Sequence, residues 1–181
     1  MHALAKFIYF KVLGWKLIGE FPKLDKCIVA VVPHTSWVDF FLGLLIRRVW
    51  QEDISFLAKK SLFKPPFGWY IRWMGAKPII RDKNSDLTTA IAETFKTRKI
   101  VKLALSVEGT RKRVTKLKTG FYYIAKKANI PIVLVTFDYG HKQIKVSVPH
   151  YPTTNKEADF NTYKAFYKGA IGKVPENSFF I

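Results

Sequence analysis

The stretch "VVPHTSWVDFF" sets His34 and Asp39 five residues apart between two apolar runs. A histidine whose ring N–H is held by a carboxylate has a fixed tautomer and a more basic second nitrogen, the combination that general-base catalysis needs. On an unbroken helix, residues five apart diverge by about 140° and could not meet. A turn at residues 35–36 would let His34 fold back over the first helical turn and reach Asp39. The same residues also have a structural reading, in which Ser36 caps a helix and Asp39, three positions later, completes a capping box at the positive end of the helix dipole. Both readings place a turn before Val38, and they are compatible.

Two later stretches carry further polar chemistry. In "SVEGTRKR", Glu108, Gly109, Thr110 and Arg111 directly follow an apolar run. Gly109 permits a tight turn, and Arg111, Lys112 and Arg113 form a cluster suited to a phosphate group, although a solvated basic loop has the same composition. In "GAKPIIR", Gly75 precedes a short apolar run that ends at Arg81, a surface arginine or a second phosphate contact. Cys27 lies inside the apolar run "CIVAVV" and reads as a buried small hydrophobe rather than a nucleophile. As the single cysteine, it excludes an internal disulfide and fits a reducing compartment.

Taken in order, His34 with Asp39, Gly75 with Arg81, the Glu-Gly-Thr-Arg run at 108–111, and the apolar run Ile130, Pro131, Ile132, Val133 resemble the glycerolphosphate and lysophosphatidate acyltransferase family. Its signature is His-x4-Asp, Gly-x4/5-Arg, Glu-Gly-Thr-Arg and a proline-containing apolar strand. Lys118 with Gly120 and Lys60 resemble further basic positions of that family. The pattern differs at Pro33, where an Asn commonly stands, at Ile80 in place of an Asp, and at Val107 and Leu134 in place of prolines.

The resemblance implies transfer of an acyl group from a thioester, acyl-CoA or acyl carrier protein, to the hydroxyl of a lysophospholipid, foremost 1-acyl-sn-glycerol 3-phosphate. Glycerol 3-phosphate or a lyso-amino-lipid is the alternative acceptor. It further implies His34 as base and Asp39 as its orienting acid. Arg81, Glu108, Gly109, Thr110, Arg111, Lys60 and Lys118 would contact substrate, and neither a metal nor a resident cofactor would be required. Glu108, set among arginines, is expected to remain ionised.

The elements that must position these residues can be read from hydrophobic periodicity. Strand patterns at 27–32, 54–58, 77–80, 100–107, 131–137 and 143–148 alternate with helical ones at 36–50, 86–97, 121–130 and 158–173. The alternation predicts an α/β sandwich, a mixed and largely parallel sheet flanked by helices, of the glycerol-3-phosphate acyltransferase kind that the resemblance implies. The loops at 33–36, 81–85 and 107–117 would then gather at the carboxyl ends of strands, where such sheets bind ligands.

Length and charge bound the rest. With 181 residues and 49% apolar composition, the chain suits one folded domain. We divide it into a docking or membrane-interfacial helix over 1–24 and an acyltransferase domain over 25–181. Lys6, Lys11 and Lys16 break the apolar N-terminal stretch, so it neither spans a bilayer nor reads as a secretory signal. The formal charge of +18, of which residues 51–130 contribute +12, calls for an anionic partner. An anionic membrane surface, approached from the cytoplasmic side, suits it. Nucleic acid is the competing class, but the aromatic residues fall within helix and strand patterns, where core packing accounts for them.

Overall fold

A computed structural model describes residues 2–59, 63–66, 68–79 and 86–179. Seven strands, β1 (Lys16–Ile18), β2 (Lys26–Val32), β3 (Ile54–Lys59), β4 (Ala76–Ile79), β5 (Val101–Ser106), β6 (Ile132–Asp138) and β7 (Gln143–Val146), form one sheet in the order β1-β7-β6-β2-β5-β3-β4. Every pairing between these strands is parallel except β6 with β7, which form a hairpin. The largely apolar, β-branched-rich character of β2 and β6 is what a strand covered on both faces requires. All seven residues of β6 are buried.

Among the described residues, six α-helices flank the sheet: α1 (His2–Phe7), which runs into a π turn at Ile8–Val12, α2 (Val38–Trp50), α3 (Gly68–Trp73), α4 (Leu87–Thr97), α5 (Gly120–Ala128) and α6 (Lys156–Tyr167). Strand alternation divides the core between two layers. Ile28, Ala30 and Val32 of β2 face Phe95 of α4, Phe121 and Ile124 of α5 and Tyr163 and Tyr167 of α6. Cys27 and Val29 face the other way, onto Leu42 and Ile46 of α2 and onto Ala5 and Tyr9 of the first segment. The right-handed rule for parallel crossovers adds α3 to this second layer, because β2-α2-β3 and β3-α3-β4 progress across the sheet in the same direction.

Three expectations are revised. The single helix drawn over the first residues is a helix of six residues followed by the π turn, and Lys16–Ile18 leave it to pair with β7. Tyr9 and Trp15 are buried, and the Tyr9 hydroxyl donates to the Lys16 carbonyl at 2.8 Å, so this segment packs on the domain while Leu4, Phe7 and Phe10 stay exposed. The last helix starts earlier and ends at Tyr167, since Asn155 accepts the Ala158 N–H at its start and Gly169 adopts φ +80° beyond its end. Helix α2 begins at Val38 with Trp37 in the cap position. Ser36 Oγ accepts the Val38 N–H at 3.3 Å, and only the carboxylate half of the capping box is made.

Candidate active site

Strands β2 and β5 are neighbours, and the register that sets Val31 opposite Ser106 makes their following loops emerge side by side. Residues 33–37 and 107–119 therefore meet at the carboxyl edge of the sheet. The His34 backbone N–H donates to Glu108 Oε2 at 2.6 Å and ties the two loops together.

His34 and Asp39 are in contact. His34 Nδ1 lies 3.1 Å from Asp39 Oδ2, the carboxylate is 1% exposed and the imidazole 30% exposed. Asp39 is held on every side. Its Oδ2 also accepts the N–H groups of Thr35 at 2.8 Å and Ser36 at 2.9 Å, and its Oδ1 accepts the Tyr139 hydroxyl at 2.8 Å. Burial pushes the Asp39 carboxyl up, but the hydrogen bonds from His34, Ser36 and Tyr139 prevail and hold it below the ordinary carboxylate value. An ionised, fixed acceptor at Nδ1 leaves Nε2 as the ring nitrogen able to take a proton from a ligand.

Glu108 departs from the expectation of an ionised group among arginines. It is 1% exposed, one oxygen accepts the His34 N–H, and the other has no hydrogen-bond partner among the described residues. Burial, aided by the charge of Asp39 and opposed by His34, pushes its carboxyl up to about 7. Its side chain supports the main chain beside the histidine and does not face solvent.

The remaining predicted residues divide between the exposed rim and the undescribed segments. Gly109 has φ +70°, and a Cβ there would sit 3.1 Å from Lys118 Cγ, so the lysine stem crosses the turn where only glycine leaves room. The Lys118 N–H donates to the Val107 carbonyl at 2.7 Å. Thr110 and Arg111 are exposed on the same loop, with Thr110 Oγ1 accepting the Lys112 N–H at 3.2 Å. Arg81 and Lys60 lie outside the described residues.

Two contributors carry no sequence signal. Tyr139 reaches Asp39 from the β6–β7 turn, a hundred residues along the chain. The stretch 171–175 closes over the histidine loop: the Val174 N–H donates to Thr35 Oγ1 at 3.1 Å, and a Cβ on Gly172 would lie 2.6 Å from that same oxygen. Both are ordinary loop residues whose relevance arises only from the chain's return to the site.

Apolar grooves open on both layers, and the first of them is lined by residues of the site. One of about 600 Å³ runs from Tyr139 along α2 and is walled by Leu13, Phe41, Leu42, Leu45 and Ile171, with Lys142 and Lys173 at its margin. The other, about 420 Å³, lies between α4 and the sheet against Leu57, Ile91, Phe95 and Leu103, with Lys77 and Arg98 beside it. No three His, Cys, Asp or Glu side chains converge as a metal site among the described residues.

The family model described as Acyltransferase matches residues 18–138, the span that contains the His34–Asp39 pair and the Glu108 loop. The chain belongs to the acyltransferase family. Its mixed, mostly parallel sheet with helices on both faces is the architecture that this membership requires. This acyltransferase-family chain is also 30% identical over 119 residues to the 1-acyl-sn-glycerol-3-phosphate acyltransferase of Streptococcus pneumoniae (strain ATCC BAA-255 / R6), a match that covers 65% of the chain and 44% of that protein. The chain thus spans less than half the length of the curated relative it matches. No helix among the described residues is long and apolar enough to cross a membrane.

Proposed function

We propose that the protein transfers a fatty acyl group from a thioester, on coenzyme A or acyl carrier protein, to the hydroxyl of 1-acyl-sn-glycerol 3-phosphate, yielding phosphatidate. The observation that carries this reading is the contact between half-buried His34 and buried Asp39, within a span matched by the family model. The activity for which the Streptococcus pneumoniae relative is named supports the acceptor class.

In this reading, His34 Nε2 takes the acceptor's hydroxyl proton as the oxygen attacks the thioester carbonyl. Collapse of the tetrahedral adduct breaks the carbon–sulfur bond, and the departing sulfur recovers the proton from the imidazolium. Asp39 remains ionised throughout and holds Nδ1–H. The acceptor phosphate meets Arg111 and its basic neighbours, with Arg81 and Lys60 proposed to join them. Glu108 and Gly109 shape the loop that presents Thr110, Arg111 and Lys118. Lys142 and Lys173 beside the α2 groove give an acyl chain lying there a cationic margin suited to its polar end. The reaction needs neither metal nor resident cofactor. Catalysis rests on positioning and proton transfer, which supply several kcal/mol of barrier reduction, about 7–11 from orientation at its upper reach.

The lipid product and the basic charge support a location at the inner face of the membrane, where anionic headgroups attract lysine and arginine. The exposed Leu4, Phe7 and Phe10 of the first segment are its proposed point of contact. An acyl-transfer screen tests the proposal. Lysophosphatidate, glycerol 3-phosphate and lyso-amino-lipids are offered with acyl-CoA or acyl carrier protein, and products are read by mass spectrometry. Phosphatidate from lysophosphatidate is expected as the main product. Acylation of another acceptor alone would reassign the substrate, and no acylation of any acceptor would remove the reading.

A further inference from the structure

Exposed apolar side chains are distributed unequally between the two layers. On α4, α5 and α6, Tyr123 is the one large hydrophobic residue exposed. On the opposite layer, α3 alone exposes three, with Trp69 at 71%, Trp73 at 62% and Tyr70 between them at 43%. Tyr70 stacks on Trp73 with ring centroids 5.9 Å apart and meets Trp69 at 5.8 Å, so the three rings form one continuous ledge. Nothing in the core accounts for them: Phe63, Gly68 and Met74 are the buried residues of this stretch, and they lie on its inner side.

The charged residues of the ledge segment itself are all basic. Lys64 and Arg72 are exposed beside it, the Arg72 guanidinium lying 5.4 Å from the Phe63 ring centroid. Across residues 2–19, 37–50 and 63–79 the sole acidic residue is the buried Asp39, and the exposed Asp53 that follows α2 lies 4.0 Å from Arg47. Trp37 and Phe41 at the start of α2 continue the apolar surface beside the histidine loop, packed edge to face at 5.6 Å. Tryptophan and tyrosine rings with an apolar body and a polar edge, interspersed with lysine and arginine and free of carboxylates, have the composition of a surface that rests at the headgroup level of an anionic bilayer.

We propose that α3 is a membrane anchor separate from the first segment, and that the two together lay the α1–α2–α3 layer flat on an anionic lipid surface. Trp69, Tyr70 and Trp73 enter the interface, while Lys64 and Arg72 pair with headgroup phosphates. Two anchors on one layer fix an orientation that one could not, with Trp37 and Phe41, and hence the entrance beside His34, turned toward the lipid. The choice of a bilayer as partner rests on the lipid-acylation reading. The binding itself is independent of turnover.

The test uses the full chain without donor or acceptor. Sedimentation with vesicles of phosphatidylcholine alone, and of phosphatidylcholine mixed with phosphatidylglycerol, compares the wild type with the pairs Trp69→Ser/Trp73→Ser and Phe7→Ser/Phe10→Ser. Each pair is expected to weaken binding to the mixed vesicles by about tenfold or more, and neutral vesicles are expected to bind the wild type far less. Because Cys27 is buried, a polarity-sensitive dye placed through Tyr70→Cys reports the ledge, and one placed through Tyr123→Cys reports the opposite layer. The first should shift to the blue with mixed vesicles and the second should not. Unchanged binding by Trp69→Ser/Trp73→Ser, or a dye at position 70 that stays in water, overturns the proposal. An acidic protein that moves the dye where vesicles do not would reassign the ledge to a protein partner and overturn it equally. Neither result would touch acyl transfer, which the product screen decides.

Discussion

Asp39 and Glu108 are two buried carboxyl groups within one site, pushed in opposite directions by the number of donors each meets. Asp39 receives N–H groups from Thr35 and Ser36, the Tyr139 hydroxyl and His34, and it stays ionised. Glu108 receives the single N–H of His34, and its raised value of about 7 follows. The sign of the resulting pH dependence is fixed. A carboxyl whose folded value exceeds its ordinary 4.5 binds more protons folded than unfolded between those two values, so it removes stability as pH rises from about 4.5 to about 7. The span corresponds to about 3 kcal/mol at most. Glu108→Gln keeps an oxygen for the His34 N–H and has no charge to bury. Its urea-unfolding midpoint should match the wild type near pH 4.5 and exceed it increasingly up to pH 8. A gap that stays constant with pH would show that Glu108 is not the titrating group.

At the scale of elements, the site is assembled by three segments that return to the end of β2: the loop after β5, the β6–β7 turn and the stretch 171–175. The last is in the closest contact, since Gly172 lies against buried Thr35 and leaves no room for a Cβ. Gly172→Ala should push on Thr35 and displace residues 34–36, destabilising the fold by about 1–3 kcal/mol through overpacking. It should also lower acylation further than the folded fraction accounts for. Equal losses of activity and folded protein, measured by turnover and circular dichroism on one preparation, would make the contact purely structural.

Local pattern made much of this visible in advance. The runs "CIVAVV" and "PIVLVTF" read as strands, and a turn at residues 35–36 is what contact between His34 and Asp39 requires. What stayed hidden was long-range. Lys16–Ile18 become a strand because β7 offers a free edge, which the lysine-interrupted pattern around them does not announce. Tyr139 and Gly172 acquire their roles solely from tertiary return. The burial of Glu108 is not legible in the sequence, which shows its charged neighbours and not the strand ends that exclude water from it.

For the whole molecule, one sheet separates two tasks. The α4–α5–α6 layer shows a polar surface, whereas the α1–α2–α3 layer carries exposed tryptophans and phenylalanines among lysines and arginines. The His34–Asp39 pair follows the carboxyl end of β2, beside Trp37 and Phe41 of the layer that we propose docks on lipid. The formal charge of +18 suits the docking proposed above, since a cationic surface is attracted to anionic lipid. The central claim is that His34 performs the proton transfer. Its most direct test is the rate of thioester-dependent acylation of lysophosphatidate by wild type and by His34→Ala, on preparations shown to be equally folded. The account predicts a fall of at least about a hundredfold for His34→Ala, and turnover close to that of the wild type would contradict it.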